Sequence, residues 1–74
     1  MTEWGAQVIL TAEEYERLPV RYRAEKMVRE ALADRGVVEA WLEWLYNPDP
    51  RYEDDEGNVT HGPPCWELSG WGEA

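Results

Sequence analysis

The sequence predicts a mainly α fold with minor β content, a small α+β domain in which a helical pair packs with a short N-terminal strand and a C-terminal hairpin. Three observations lead there. Val20, Ala24, Met27, Val28, Ala31 and Leu32 recur at helical spacing. A second set, Val38, Trp41, Leu42 and Leu45, also shares a helical face, and Gly36 alone separates the two stretches. Two short β-prone stretches flank them. At 74 residues and 43% hydrophobic, the chain closes one modest core. It reads as a single domain over 1–74, with an acidic, less regular segment over 47–74.

The first element is a strand at 7–10, where Gln7, Val8, Ile9 and Leu10 run together without helical spacing. Thr11-Ala12-Glu13-Glu14 reads as a capping box opening a short helix over 12–18. Tyr15 and Leu18 point inward, and Pro19 ends this helix. The second helix runs over 20–35, with Glu25 and Arg29 at the favourable i,i+4 spacing and Gly36 as its left-handed terminator. The third helix is expected over 37–46, stopped by Asn47-Pro48-Asp49-Pro50. Trp41 is placed in its core and Trp44 at its edge. Arg51-Tyr52-Glu53 and Asn58-Val59-Thr60-His61 then flank a charged turn. The strand at 7–10 is expected to pair with 58–61. Two prolines and three glycines over 62–74 argue against a long regular element there, with Trp66, Leu68 and Trp71 pinning that segment to the body.

Charge divides the chain more sharply than pattern does. Residues 1–36 carry seven acids and six bases, whereas residues 37–74 carry nine acids and Arg51 alone. The net charge of −9 disfavours direct binding to nucleic acid, whose affinity comes from Lys and Arg displacing counterions. No apolar run approaches the ~20 residues that span a bilayer. Met1-Thr2-Glu3-Trp4 has neither the basic start nor the apolar stretch of a secretory leader, and Cys65 is the single cysteine. The expected setting is therefore the cytoplasm of a bacterial host, away from membranes.

Familiar chemical motifs are weak here. With Gly57 at position 6 of a calcium loop, Asp54 and Glu56 fall at positions 3 and 5, but Tyr52 and Pro63 fall where side-chain ligands are required. The run over 53–57 reads instead as a solvated turn. His61 and Cys65 are too few for a structural zinc site, and Gly62-Pro63-Pro64 between them sets no nucleophile geometry. There is no phosphate-binding glycine loop, and Ser69, the only serine, lacks a nucleophile elbow. No catalytic residue, metal or cofactor is expected. The bases over 20–35 are interleaved with Glu25, Glu30 and Asp34, which suits a solvated, salt-bridged face.

The informative residues are aromatic and acidic. Five tryptophans and four tyrosines occur with no phenylalanine. Trp and Tyr join apolar area to a polar handle and suit partner contacts, although a small domain also uses Trp as core filler. Trp44 and Trp71 are the interface candidates. Glu39 and Glu43, ~6 Å apart along a helix axis, would line one face. Asp49, Glu53, Asp54, Asp55 and Glu56 follow. A nucleic-acid mimic would need the helix face and the loop on one surface; otherwise the charge serves solubility.

In composition alone the chain resembles the small, acidic, Trp-rich accessory proteins of bacteriophages and mobile elements. Its six arginines to one lysine fit a GC-rich genome. That resemblance implies no residue roles. The expected function is a non-enzymatic binding protein that inhibits a larger nucleic-acid-handling host protein, such as a defence nuclease complex, by occupying its basic surface. The alternatives are an antitoxin neutralising a basic toxin, and a virion or complex-assembly subunit with tryptophan-mediated homo-oligomer contacts.

Overall fold

A computed structural model describes all 74 residues. Strand β1 (Glu3–Thr11) leads through helix α1 (Ala12–Tyr15) to helix α2 (Leu18–Ala33), then β2 (Trp41–Asn47), β3 (Arg51–Glu53), β4 (Val59–His61) and β5 (Cys65–Glu73). The three long strands form one antiparallel sheet in the order β1-β5-β2, and β3 with β4 forms a separate hairpin. Strand accounts for 42% of the chain and helix for 27%, so the fold is richer in β than in α. This overturns the mainly α expectation.

The correction centres on residues 37–46, which form no helix. Trp41-Leu42-Glu43-Trp44-Leu45-Tyr46 alternates as a strand: Leu42 and Trp44 pack toward the core, while Trp41 and Leu45 stay exposed. An apolar-rich run of this length satisfies both helical and strand periods, and its aromatic content suits the pleated surface. Trp41, expected in the core, is 67% exposed. The strand expected at 7–10 extends over Glu3–Thr11 and pairs with β5, not with 58–61. Residues 65–73, expected to be irregular, are the central strand. Gly70 and Gly72 do not break it. They lie where the helical layer comes closest: a Cβ on Gly70 would overlap Val28, and one on Gly72 would overlap Val37.

The helical reading holds locally. The Thr11 hydroxyl accepts from the Glu14 backbone N–H (3.1 Å), and the Glu14 carboxylate accepts from the Thr11 N–H (3.0 Å). The helix this box opens is only four residues long. Pro19 sits in the first turn of α2 rather than ending α1, a position where its missing N–H costs nothing. Ala24, Val28 and Leu32 of α2 are buried, Val20 packs beside them, and Met27 and Ala31 face solvent. Gly36 adopts φ +90°. The Gly36 N–H donates to the Ala33 carbonyl and the Val37 N–H to the Leu32 carbonyl, a Schellman closure that buries Val37 against Leu32. Glu25 does not pair with Arg29. It accepts instead from the Trp44 indole, and the helical ion pair that forms is Lys26–Glu30.

The core lies between α2 and one face of the sheet. Leu10, Ala24, Val28, Leu32, Val37 and Leu68 form it. At one end Tyr15 stacks on Trp66 (4.1 Å, 14°) and meets Trp44 edge-on (5.1 Å, 75°), with the Arg21 guanidinium over the Tyr15 ring. At the other end the Arg35 guanidinium covers Trp4. No helix covers the second face of the sheet, and the molecule is only 15 Å through its thinnest dimension.

Candidate functional interface

The open face of the sheet follows from the strand period. Residues 4, 6, 8 and 10 of β1 face the helix, so Glu3, Gly5, Gln7 and Ile9 face outward. Register carries this across the sheet. Trp71 lies between Gly5 and Trp41, Ser69 between Gln7 and Glu43, and Glu67 between Ile9 and Leu45. Glu3 and Glu73 oppose each other at the end of the sheet. The result is an aromatic and aliphatic surface of Ile9, Trp41, Leu45 and Trp71, set among Glu3, Glu43, Glu67 and Glu73.

The electrostatics of this face are one-signed. Six of the seven Lys and Arg residues lie between residues 17 and 35, in and around α2, and the seventh is Arg51 in the hairpin. None is on the open face. The Arg17–Glu13, Lys26–Glu30 and Arg51–Asp49 ion pairs all lie elsewhere. Glu3, Glu43 and Glu73 have no ion-pair partner, and Glu67 only accepts weakly from the Gln7 amide at 3.5 Å. Among the exposed aliphatics and aromatics of this face, Ile9 and Leu45 are half-exposed and Trp71 is 38% exposed.

The structure separates the residues expected to act together. Glu43 and Trp71 share the open sheet face, and Glu39 lies beside the Trp71 end of it, in the turn before β2. Glu39 and Glu43 do not line a helix. Trp44 faces the other way: it packs on the core, and its Nε1–H donates to Glu25 Oε1 at 3.0 Å. Asp49, Glu53, Asp54, Asp55 and Glu56 belong to the hairpin, which leaves the sheet at its far end, after Asn47 and before Cys65. Six residues of strand, about 20 Å, lie between the Trp41–Trp71 pair and that end. The helix face and loop required for a single mimetic surface do not exist in that form.

Two of the hairpin acids are occupied in shaping it. The Asp49 carboxylate meets His61 Nδ1 at 2.8 Å and Arg51 Nε at 3.7 Å. The His61 hydrogen bond is the main cause that holds Asp49 below the usual carboxylate range. Asp54 Oδ1 accepts from the Glu56 and Asn58 backbone N–H groups, both at 2.9 Å, and the Asn58 bond holds its carboxyl below the usual range. Gly57, at φ +84°, closes this turn. Glu53, Asp55 and Glu56 remain free and exposed.

Cys65 is buried, and burial followed by the charge of Glu67 pushes its thiol up, away from the thiolate a nucleophile needs. No three acidic, histidine or cysteine side chains converge to hold a metal ion, and no helix is long and apolar enough to cross a membrane.

Ile9, Trp41, Leu45, Glu3, Glu67 and Glu73 were not among the expected interface residues. The signal for them was the two-residue alternation over 41–45 and 67–73, which places Trp41, Glu43 and Leu45 on one side and Glu67, Trp71 and Glu73 on the other strand's matching side. No protein-family model, curated protein or solved structure matches the chain.

Proposed function

We propose that this protein is a non-enzymatic binding protein whose open sheet face docks on a basic surface of a larger nucleic-acid-handling protein and blocks it. One observation carries the reading: an exposed apolar face holding Ile9, Trp41, Leu45 and Trp71 is ringed by carboxylates and contains no base. Aromatic residues supply the desolvated anchors of an interface, and the surrounding charge supplies steering and choice of partner. A partner evolved to hold phosphates presents the complementary charge. A second copy of this chain is a poorer occupant, since face-to-face pairing would bring the same carboxylates together. The antitoxin alternative gains nothing from residues 65–73, which are the central strand rather than a toxin-wrapping tail.

The test is capture from a bacterial lysate at low and high salt, followed by competition with duplex DNA. The expected partner is basic, is displaced by the duplex, and is lost when Glu43→Lys and Glu67→Lys are combined. Glu30→Lys, on the solvent side of α2, should leave capture unchanged. Capture that ignores the sheet-face reversal but fails with Glu30→Lys would place the interface on the helical layer and refute the proposal.

A further inference from the structure

At one end of the open face, Glu3, Val38, Glu39, Trp41, Trp71 and Glu73 line an open cleft of about 790 Å³. Its two halves have different chemistry. Trp41 and Trp71 are register partners on adjacent strands, so both indoles project from the same face. Glu3 and Glu73 are also register partners, one row further out. Thr2 and Ala74 exchange both backbone hydrogen bonds, at 3.4 and 2.9 Å. Because hydrogen-bonded and non-hydrogen-bonded pairs alternate along an antiparallel ladder, the neighbouring Glu3–Glu73 pair is of the close, non-hydrogen-bonded kind. Like charges directly opposite one another destabilise a sheet. No base lies within ion-pair distance of either carboxylate, and the nearby Arg35 is turned onto Trp4 on the opposite face. The fold therefore keeps two facing carboxylates beside two exposed indoles, with Glu39 as a third acid on the rim.

This combination selects a cation, and its geometry selects which kind. A bound metal ion would require several oxygens converging on one point, and no such group of side chains exists here. A lysine ammonium is compact and strongly hydrated and loses much of its hydration on stacking. A guanidinium is planar and weakly hydrated; it stacks on an indole while its N–H fork donates to carboxylates. We propose that the Trp41–Trp71 cleft receives an arginine side chain of the protein partner, stacked on the indoles and hydrogen-bonded to Glu3 and Glu73. This inference rests on the sheet-face reading and names the partner group that the face would recognise.

The test uses the full chain, isotopically labelled, titrated with hexa-arginine, hexalysine and hexacitrulline peptides. The readout is the indole N–H resonances, assigned by single Trp→Phe substitutions. Hexa-arginine should shift Trp41 and Trp71 and leave Trp4, Trp44 and Trp66 in place. Hexalysine should bind at least fivefold more weakly, and hexacitrulline, neutral but of the same shape, should give no shift. The Glu3→Gln/Glu73→Gln double variant should weaken hexa-arginine at least fivefold, while its melting temperature stays the same or rises. Asp55→Asn/Glu56→Gln at the hairpin tip should leave binding unchanged. Equal affinity for hexalysine, shifts confined to the hairpin, or full binding by the Glu3→Gln/Glu73→Gln variant would each overturn the proposal. Failure of this titration while Glu43→Lys/Glu67→Lys still abolishes partner capture would remove the arginine cleft alone. Loss of the sheet-face reading shows separately, as capture that the reversal leaves intact.

Discussion

Gly70→Ala tests the architecture at its tightest point. Gly70 lies in the central strand beneath α2, and an added Cβ would overlap Val28 Cγ1 and stand 3.3 Å from Leu32 Cδ1. Val28 and Leu32 are each 1% exposed, so neither has open space to move into. Overpacking of this kind costs about 1–3 kcal/mol. A 74-residue domain has only ~4–11 kcal/mol of stability in all, so the fraction lost is large. At ~4–8 °C per kcal/mol for a domain of this size, a loss of ~2 kcal/mol lowers the melting temperature by ~8–16 °C. The control is Gly5→Ala, on the opposite face of the same sheet. Its Cβ would meet only the Gly70 carbonyl oxygen, at an ordinary 3.6 Å. That change should be neutral or stabilise by ~0.4–1 kcal/mol through the unfolded chain. Combining Gly70→Ala with Val28→Ala should lose clearly less than the sum of the two, because the new methyl occupies the space that Val28 vacates. Thermal and urea melts followed by circular dichroism measure all four proteins. If Gly70→Ala melts with Gly5→Ala, or if the double variant is simply additive, α2 does not lie over Gly70 as described.

Other expectations follow from individual contacts. Trp44→Phe keeps most of the apolar area but strands the Glu25 carboxylate, and urea melts should show a loss of ~1–2 kcal/mol. Asp49 and Asp54 have depressed folded-state pKa values, so their contribution is present above the ordinary carboxylate range and is lost as pH falls through the folded values. The protection of the β3–β4 amides from hydrogen exchange, measured relative to the intrinsic exchange rate at each pH, should therefore fall on acidification, and Asp49→Asn should remove part of that response. Glu73→Lys turns a like-charge pair with Glu3 into an opposite-charge one, so it should raise the melting temperature while weakening hexa-arginine binding. Buried and protonated, Cys65 should resist iodoacetamide in the folded protein and react once urea unfolds it; fast labelling of the native state would contradict its placement.

What the sequence determined by itself was local. The Thr11–Glu14 capping box, the left-handed turn at Gly36, the buried stripe of Ala24, Val28 and Leu32, and the hairpin closed by Asp54 and Gly57 all depend on residues within a few positions of one another. Their hydrogen bonds and side-chain spacings are written into adjacent residues, so they could be read directly. The concentration of negative charge after residue 36 was equally legible. Only the tertiary structure decided the state of residues 41–47. Leu42, Trp44 and Tyr46 alternate as a strand requires, while Val38, Trp41, Leu42 and Leu45 also fit a helix, so periodicity alone does not separate the two, and the aromatic content only leans toward the strand. Pairing with β5 separates them, and β5 is itself a strand because β1, some sixty residues earlier, lies along its other edge. Gly70 and Gly72 looked like breaks because their function, admitting α2 and Val37 close to the sheet, exists only after the helix has docked. The open face inherits the same dependence. Glu3, Trp41, Trp71 and Glu73 are distant in sequence, and strand register alone brings them onto one side of one sheet.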